Sequence, residues 1–123
     1  MQFLLVEDDA DLRREVGEYL LRRHHGVIAL ASAEEARAFL ERQPAPALDA
    51  VLCDVNLPDG DGFGLYVRLA AKSTAVRWIL LTGDADHQQL DEIRRANPDL
   101  PTAMLVEKPV SLRRVAALLE RGS

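Results

Sequence analysis

The chain has 123 residues, 48% of them apolar and 28% charged, with a formal net charge of −5. That length suits a single domain with a real core and lies far from the disordered class. The acid excess argues against direct nucleic-acid binding. The one cysteine, Cys53, excludes an internal disulfide and a thiolate zinc site. No apolar run approaches the ~20 residues of a membrane span. The start, MQFLLVEDD, turns acidic where a signal peptide would continue apolar, so a cytoplasmic protein is expected.

Short apolar runs alternate with longer amphipathic ones. Phe3 to Val6 reads as a strand, and Leu12, Val16, Tyr19 and Leu20 follow at helical spacing. The basic cluster Arg22, Arg23, His24, His25 reads as a solvated helix end beside Gly26, and its histidines as surface groups. Val27 to Ala31 is a second strand. Ser32 with Glu35 three residues on forms a capping box for a helix whose apolar face is Ala36, Phe39 and Leu40. QPAPA ends that helix, since proline cannot continue it. Ala50 to Cys53 is a third strand, followed by the turn cluster PDGDG, in which Gly60 and Gly62 read as turn glycines. Phe63 to Ala71 reads as a helix and Val76 to Leu81 as a fourth strand, with Trp78 packing in it. Gln88 to Ala96 is a short polar helix that NPDLP breaks. Ala103 to Val106 is a fifth strand, and Ser111 caps a last helix carrying Leu112, Val115, Leu118 and Leu119.

Five such units predict an α/β fold, a five-stranded parallel sheet covered on both faces. The strands are continuously apolar, as doubly covered strands are. Open parallel sheets bind ligands beyond the carboxyl ends of their strands, so the residues at those ends matter most. They are Glu7, Asp8 and Asp9 after the first strand, Asp54 at the end of the third, Thr82 and Gly83 after the fourth, and Glu107, Lys108 and Pro109 after the fifth. Clustered carboxylates repel one another and raise their own pKa values. A hard divalent cation such as Mg²⁺ relieves that cost and draws in a phosphoryl group, whose other oxygens Thr82 and Lys108 are placed to hold. Asp54 is then the natural nucleophile. Cys53, one position earlier along the strand, points to the opposite face and reads as core.

The motifs LLVEDD, LCDVNLPDGDG, ILLTG and VEKP, in this order and each at the end of its strand, resemble the receiver domain of bacterial two-component response regulators over essentially the whole chain. The resemblance implies the flavodoxin-like (βα)5 receiver fold, as a single domain over residues 1–123 with no output domain. It implies that Asp54 accepts a phosphoryl group from a histidine kinase or histidine phosphotransfer protein. Asp8 then ligates Mg²⁺ directly (Mn²⁺ can substitute), Glu7 through water and Asn56 through its carbonyl. Lys108 and Thr82 hold the phosphoryl oxygens, the amides of Asn56 and Gly83 complete the cradle, and the bond before Pro109 is cis. Such a chain catalyses only its own phosphotransfer and dephosphorylation. It signals to a downstream protein as a monomer or a phosphorylation-dependent dimer, through the surface of the fourth helix, fifth strand and fifth helix. Asn56 and Asp84 occupy the positions that tune phosphoryl lifetime and favour a short one.

Two features depart from the family pattern. Leu105 stands where receivers usually carry a switching Tyr or Phe. Thr82 and Lys108 are 26 positions apart (108 − 82), a few more than usual, with the extra length around ANPDLPTAM. These features mildly favour a rival, a pseudo-receiver that binds partners without phosphorylation. The complete acidic set with Thr82 and Lys108 opposes it. A Mg²⁺-dependent phosphatase is opposed by Asp54-Val55-Asn56, which lacks the second acid such enzymes use.

Overall fold

A computed structural model of the chain describes residues 1–42, 47–72, 75–83 and 87–121. Most of the expected helix stop QPAPA, and the lifetime residue Asp84, lie outside the described residues. The elements alternate as β1 (Gln2–Val6), α1 (Ala10–Arg22), β2 (Gly26–Leu30), α2 (Ala33–Leu40), β3 (Ala50–Asp54), α3 (Gly62–Leu69), β4 (Arg77–Thr82), α4 (His87–Ala96), β5 (Ala103–Glu107) and α5 (Leu112–Glu120). A two-residue antiparallel ribbon, Asn56–Leu57 against Gly60–Asp61, separates β3 from α3. The expected helix to Ala71 ends instead at Leu69 and tightens into a 3-10 turn, Ala70–Lys72.

The five long strands form one parallel sheet in the order β2-β1-β3-β4-β5. This is a doubly wound order, in which the chain leaves β1 toward one edge and returns through β3 toward the other. The carboxyl ends of β1 and β3 therefore face a crevice at the switch point. Alternation along the strands sorts the core into two layers. Phe3, Leu5, Leu52, Ile79 and Leu81 pack under α1 and α5, against Val16, Leu20, Val115 and Leu119. Leu4, Val6, Val51, Cys53 and Leu80 pack on the opposite face, against α2, α3 and Leu90 of α4. Each fully buried leucine contributes about 1.5–3 kcal/mol relative to exposure.

The helix ends are fixed by local chemistry. Ser32 Oγ accepts from the Glu35 amide at 3.2 Å, but the Glu35 carboxylate returns to the amide of Ala31, at 2.7 Å, one residue before the cap. Asp59, across the crevice in the ribbon turn, accepts from the amides of Ala33 and Glu34 at 2.8 and 2.9 Å and caps α2 a second time. At the end of α1, His24 adopts φ 69° while the amides of His24 and His25 bond back to Leu21 and Leu20. This is the left-handed helix stop that glycine usually supplies. The basic cluster here is only partly solvated. Arg23 and His25 both reach Glu120 at the end of α5, at 2.6 Å each, and the His25 ring packs 4.9 Å from Phe3. An acid at the far end of the chain, invisible to local patterning, turns the cluster into a tie between the two helices.

The lengthened segment before β5 is docked. The Asn97 side chain donates to the Ile93 carbonyl at 2.9 Å, closing α4, and Leu100 is buried. The Tyr66 hydroxyl, from α3, donates to the Pro101 carbonyl. The Tyr66 ring is fully buried and lies 5.6 Å from Trp78 at a 58° tilt, so Trp78 packs as expected. Removing this hydroxyl leaves a half-buried carbonyl unpaired. Tyr66→Phe is therefore expected to lower stability by about 1 kcal/mol, read as a lower urea midpoint from the fluorescence of Trp78, the only tryptophan. An unchanged midpoint would show that the contact does not hold the segment.

Candidate functional site

The site begins with the turn after β1. The Glu7 amide donates to the Leu30 carbonyl at 3.0 Å, which extends the β1–β2 ladder by one residue. Alternation then turns the Glu7 side chain inward, and it is fully buried. Asp9 caps α1, accepting from the amides of Asp11 and Leu12 at 3.0 and 3.3 Å. Asp8, between them, is left exposed at the mouth of the crevice.

Asp54 is the last residue of β3, which runs one residue past the expected bound at Cys53, and is 3% exposed. The chain leaves it under tight control. The Val55 amide bonds to the Leu81 carbonyl and the Gly62 amide to the Val55 carbonyl, both at 2.8 Å. The Asn56 amide donates to Asp54 Oδ1 at 2.9 Å. Gly62 is more than a turn glycine. A Cβ there would lie 2.6 Å from the Asp54 carbonyl oxygen, so any side chain would push the returning chain off the strand end. Cys53 faces the α2–α3 layer, away from Asp54, and burial pushes its thiol pKa up.

Lys108 follows β5. Its amide donates to the Thr82 carbonyl at 2.7 Å, and the Lys108–Pro109 bond is cis. Its ammonium lies 2.6 Å from Asp54 Oδ2 and 2.9 Å from Glu7 Oε1. The second approach is an ion contact without hydrogen-bond alignment, and Glu7 Oε1 is a buried oxygen with no hydrogen-bond partner among the described residues. Burial, reinforced by the neighbouring Asp54 carboxyl and opposed by Lys108, raises the Glu7 pKa to about 7. Burial alone would lower the Lys108 pKa, but the hydrogen bond to Asp54 and the negative charge of the two acids outweigh it and raise the value.

Glu7, Asp8, Asp54 and Lys108 thus converge, with the Asn56 backbone on the far side of Asp54. Ligating oxygens of the three acids lie within 4.8 Å of one another. Hard oxygen donors at this spacing, one of them an orphaned buried oxygen, suit a small divalent cation such as Mg²⁺. Thr82, buried, and Gly83, exposed, end β4 beside Asp54, whose register partner is Leu81. Leu105 is 8% exposed in the α2–α3–α4 layer opposite Leu80, and Pro109 is exposed at the rim. Three contributors were not legible in the sequence. They are Arg13, whose guanidinium folds back to the Glu7 carbonyl at 2.7 Å, the second cap Asp59, and the close approach of Gly62. Only the Asp-Gly pattern of the turn hinted at the last two.

An open parallel sheet of this order, with acids at its switch point and a lysine reaching them from the last strand, defines the receiver fold. The chain belongs to that family, for residues 3–120 match the response regulator receiver domain. It is 32% identical over 110 residues to the TorCAD operon transcriptional regulatory protein TorR of Escherichia coli O157:H7, covering 89% of this chain and 44% of TorR. It is 31% identical to the virulence transcriptional regulatory protein PhoP of Salmonella typhimurium, covering all of this chain and 54% of PhoP. The chain spans about half the length, or less, of these curated relatives. Among solved structures, the non-phosphorylated HemR receiver domain from Leptospira biflexa superposes with a TM-score of 0.79 at 31% identity, over 98% of this chain and 91% of that one. A CheY-like receiver domain protein from Methanospirillum hungatei gives 0.82 at 23% identity, over 97% and 90%. Receiver domains belong to two-component signalling, and no helix among the described residues is long and apolar enough to cross a membrane.

The raised Glu7 pKa makes stability depend on pH. The folded value of about 7 exceeds the ordinary 4.5, so between them the folded state binds more protons than the unfolded chain. Stability from this group is therefore present at low pH and lost as pH rises from about 4.5 to 7. In EDTA, Glu7→Gln is expected to flatten that part of the profile, so that its urea midpoint gains on wild type as pH rises through this window. A difference that does not vary with pH would remove Glu7 as its source.

Proposed function

We propose that this chain is a working phosphoacceptor. The observation that carries the reading is the state of Asp54. It is nearly buried at the switch point, with one oxygen on the Lys108 ammonium, the other on the Asn56 amide, and Glu7 and Asp8 alongside. A carboxylate so held is oriented for attack and has cationic help for the charge that a phosphoryl group brings. One Asp54 oxygen attacks phosphorus of a phosphohistidine on a histidine kinase or phosphotransfer protein. The phosphorus–nitrogen bond breaks, its electron pair stays on the imidazole nitrogen, and that nitrogen takes a proton. Hydrolysis of the aspartyl phosphate later releases inorganic phosphate and restores the carboxylate.

Asp8 and Asp54, the Asn56 carbonyl, and Glu7 through water are the groups that would hold Mg²⁺, which supplies charge neutralisation between carboxylates and phosphoryl oxygens. Lys108 and the Thr82 hydroxyl take the remaining oxygens, and the Asn56 and Gly83 amides line the cradle. Asn56 and Asp84 set a short phosphoryl lifetime. Leu105 reports the change through burial rather than through a swinging ring. The chain acts in the cytoplasm as one receiver domain and signals to a downstream protein, as a monomer or a phosphorylation-dependent dimer. The convergence of Lys108, Asp54, Glu7 and Asp8 disfavours the pseudo-receiver, which has no use for a compensated carboxylate cluster.

The test is intact-mass spectrometry after incubation with acetyl phosphate, with and without Mg²⁺, on wild type and Asp54→Asn. The expected result is a gain of one phosphoryl group that requires Mg²⁺ and is absent from the variant. A folded wild type that gains none would return the pseudo-receiver to first place.

A further inference from the structure

Arg13 lies in the first turn of α1, among the acids Asp8, Asp9 and Asp11. Its neighbour Arg14 takes the ordinary course and pairs with Asp11 at 3.3 Å on the surface. Arg13 does not. Half-buried, it turns its guanidinium back under the turn, donates to the Glu7 carbonyl at 2.7 Å and reaches the Asp8 carbonyl at 3.5 Å. It forms no ion pair with any carboxylate among the described residues. One guanidinium nitrogen, Nη1, passes over nearby acids for the two successive carbonyls, so the group acts as a clasp on the backbone rather than as a counter-charge.

Those two carbonyls belong to the residues whose side chains must diverge. Glu7 points into the core and Asp8 out to the mouth, yet oxygens of both lie within 4.8 Å of each other and of Asp54. Their relation depends on the peptide planes between them. The inward half is fixed from several sides. The Glu7 amide bonds to Leu30, and Glu7 Oε2 accepts from the Asp9 amide at 3.2 Å. Asp8 is exposed, and its side chain has no such fixed contact among the described residues.

We infer that Arg13 is a positioning residue, which holds the Glu7–Asp8 backbone so that the two carboxylates face one cation and thereby sets divalent-metal affinity. The inference rests on the metal-binding reading of this site.

Coulomb's law and positioning predict opposite signs here. Arg13→Met removes a positive charge next to a cation site, which by charge alone would tighten binding. Loss of positioning would weaken it, by roughly ten-fold, as for groups that orient metal ligands. Arg13→Lys keeps the charge and a donor but on a shorter stem, and is expected to weaken binding less. Arg14→Met removes the same charge from the same turn and is expected to leave affinity unchanged. The probe is Mn²⁺ alone, with the free ion counted by electron paramagnetic resonance, on wild type, these variants and Asp54→Asn. Circular dichroism checks that each is folded, and Arg13→Lys serves if Arg13→Met is not. Weaker binding in both Arg13 variants, with Arg14→Met like wild type, supports the inference. Equal or tighter binding in Arg13→Met, or in Arg13→Lys where it stands in, overturns it while leaving the metal site intact. A wild type that binds no Mn²⁺, or binds it equally in Asp54→Asn, overturns the metal reading and this inference with it.

Discussion

The ammonium of Lys108 between Asp54 and Glu7 is the interaction on which the site depends. It spans the sheet from the end of β5, across β4, to the ends of β3 and β1. Two carboxylates this buried could not both be charged without a cation between them. Even with one, Glu7 keeps a proton up to about pH 7. The folded state therefore carries a built-in deficit of positive charge at the crevice, and any group that supplies more, or that displaces the lysine toward an incoming anion, finds the surroundings already arranged for it. The doubly wound strand order makes this possible by bringing to one crevice residues separated by 54 positions in sequence.

Backbone restraint is spent on the loops that carry these groups. The turn after β3 is held at three points within eight residues. Gly62 lets the chain return against Asp54, Asp61 caps α3 by accepting from the Gly64 amide at 2.6 Å, and Asp59 caps α2 from outside. The turn after β1 is held by the Asp9 cap and the Arg13 bond to the Glu7 carbonyl. Both turns are short and heavily hydrogen-bonded, so the acids they carry need little further ordering when a ligand arrives.

What could be read from the sequence followed from what is periodic or local. Strands buried on both faces leave continuous apolar runs, and each of the five strands of the parallel sheet lies within one residue of its expected place, whereas the ribbon Asn56–Leu57 and Gly60–Asp61 was read as a turn. The acid at the end of the third apolar run was legible, but what makes its burial tolerable was not visible locally, since Lys108 arrives from the end of β5. Caps such as Ser32 and Ser111 are local and were legible. Contacts between distant segments were not. Nothing near Asp59 says that it will cap a helix 26 residues earlier, and nothing near His25 announces Glu120. Arg13 is the sharpest case, since the acid four residues before it, Asp9, suggests surface charge pairing, whereas its bond is to a main-chain oxygen six residues back.

The same distinction bears on how the site reaches the rest of the molecule. Leu105 gives β5 no hydroxyl and no ring with which to report a change. The polar handle in that layer is instead Tyr66 on α3, whose ring abuts Trp78 on β4 and whose hydroxyl holds Pro101 just before β5. The Lys108 amide, meanwhile, ties the end of β5 to the carbonyl of Thr82 at the end of β4. Strand β5 is thus fastened at its carboxyl end to the site and at its amino end to α3. A displacement of Thr82 or Lys108 cannot pass outward along β5 as a free slide. The segment before β5 is itself docked through Leu100 and Asn97, so the Tyr66 clamp bears on a fixed lead-in to the strand.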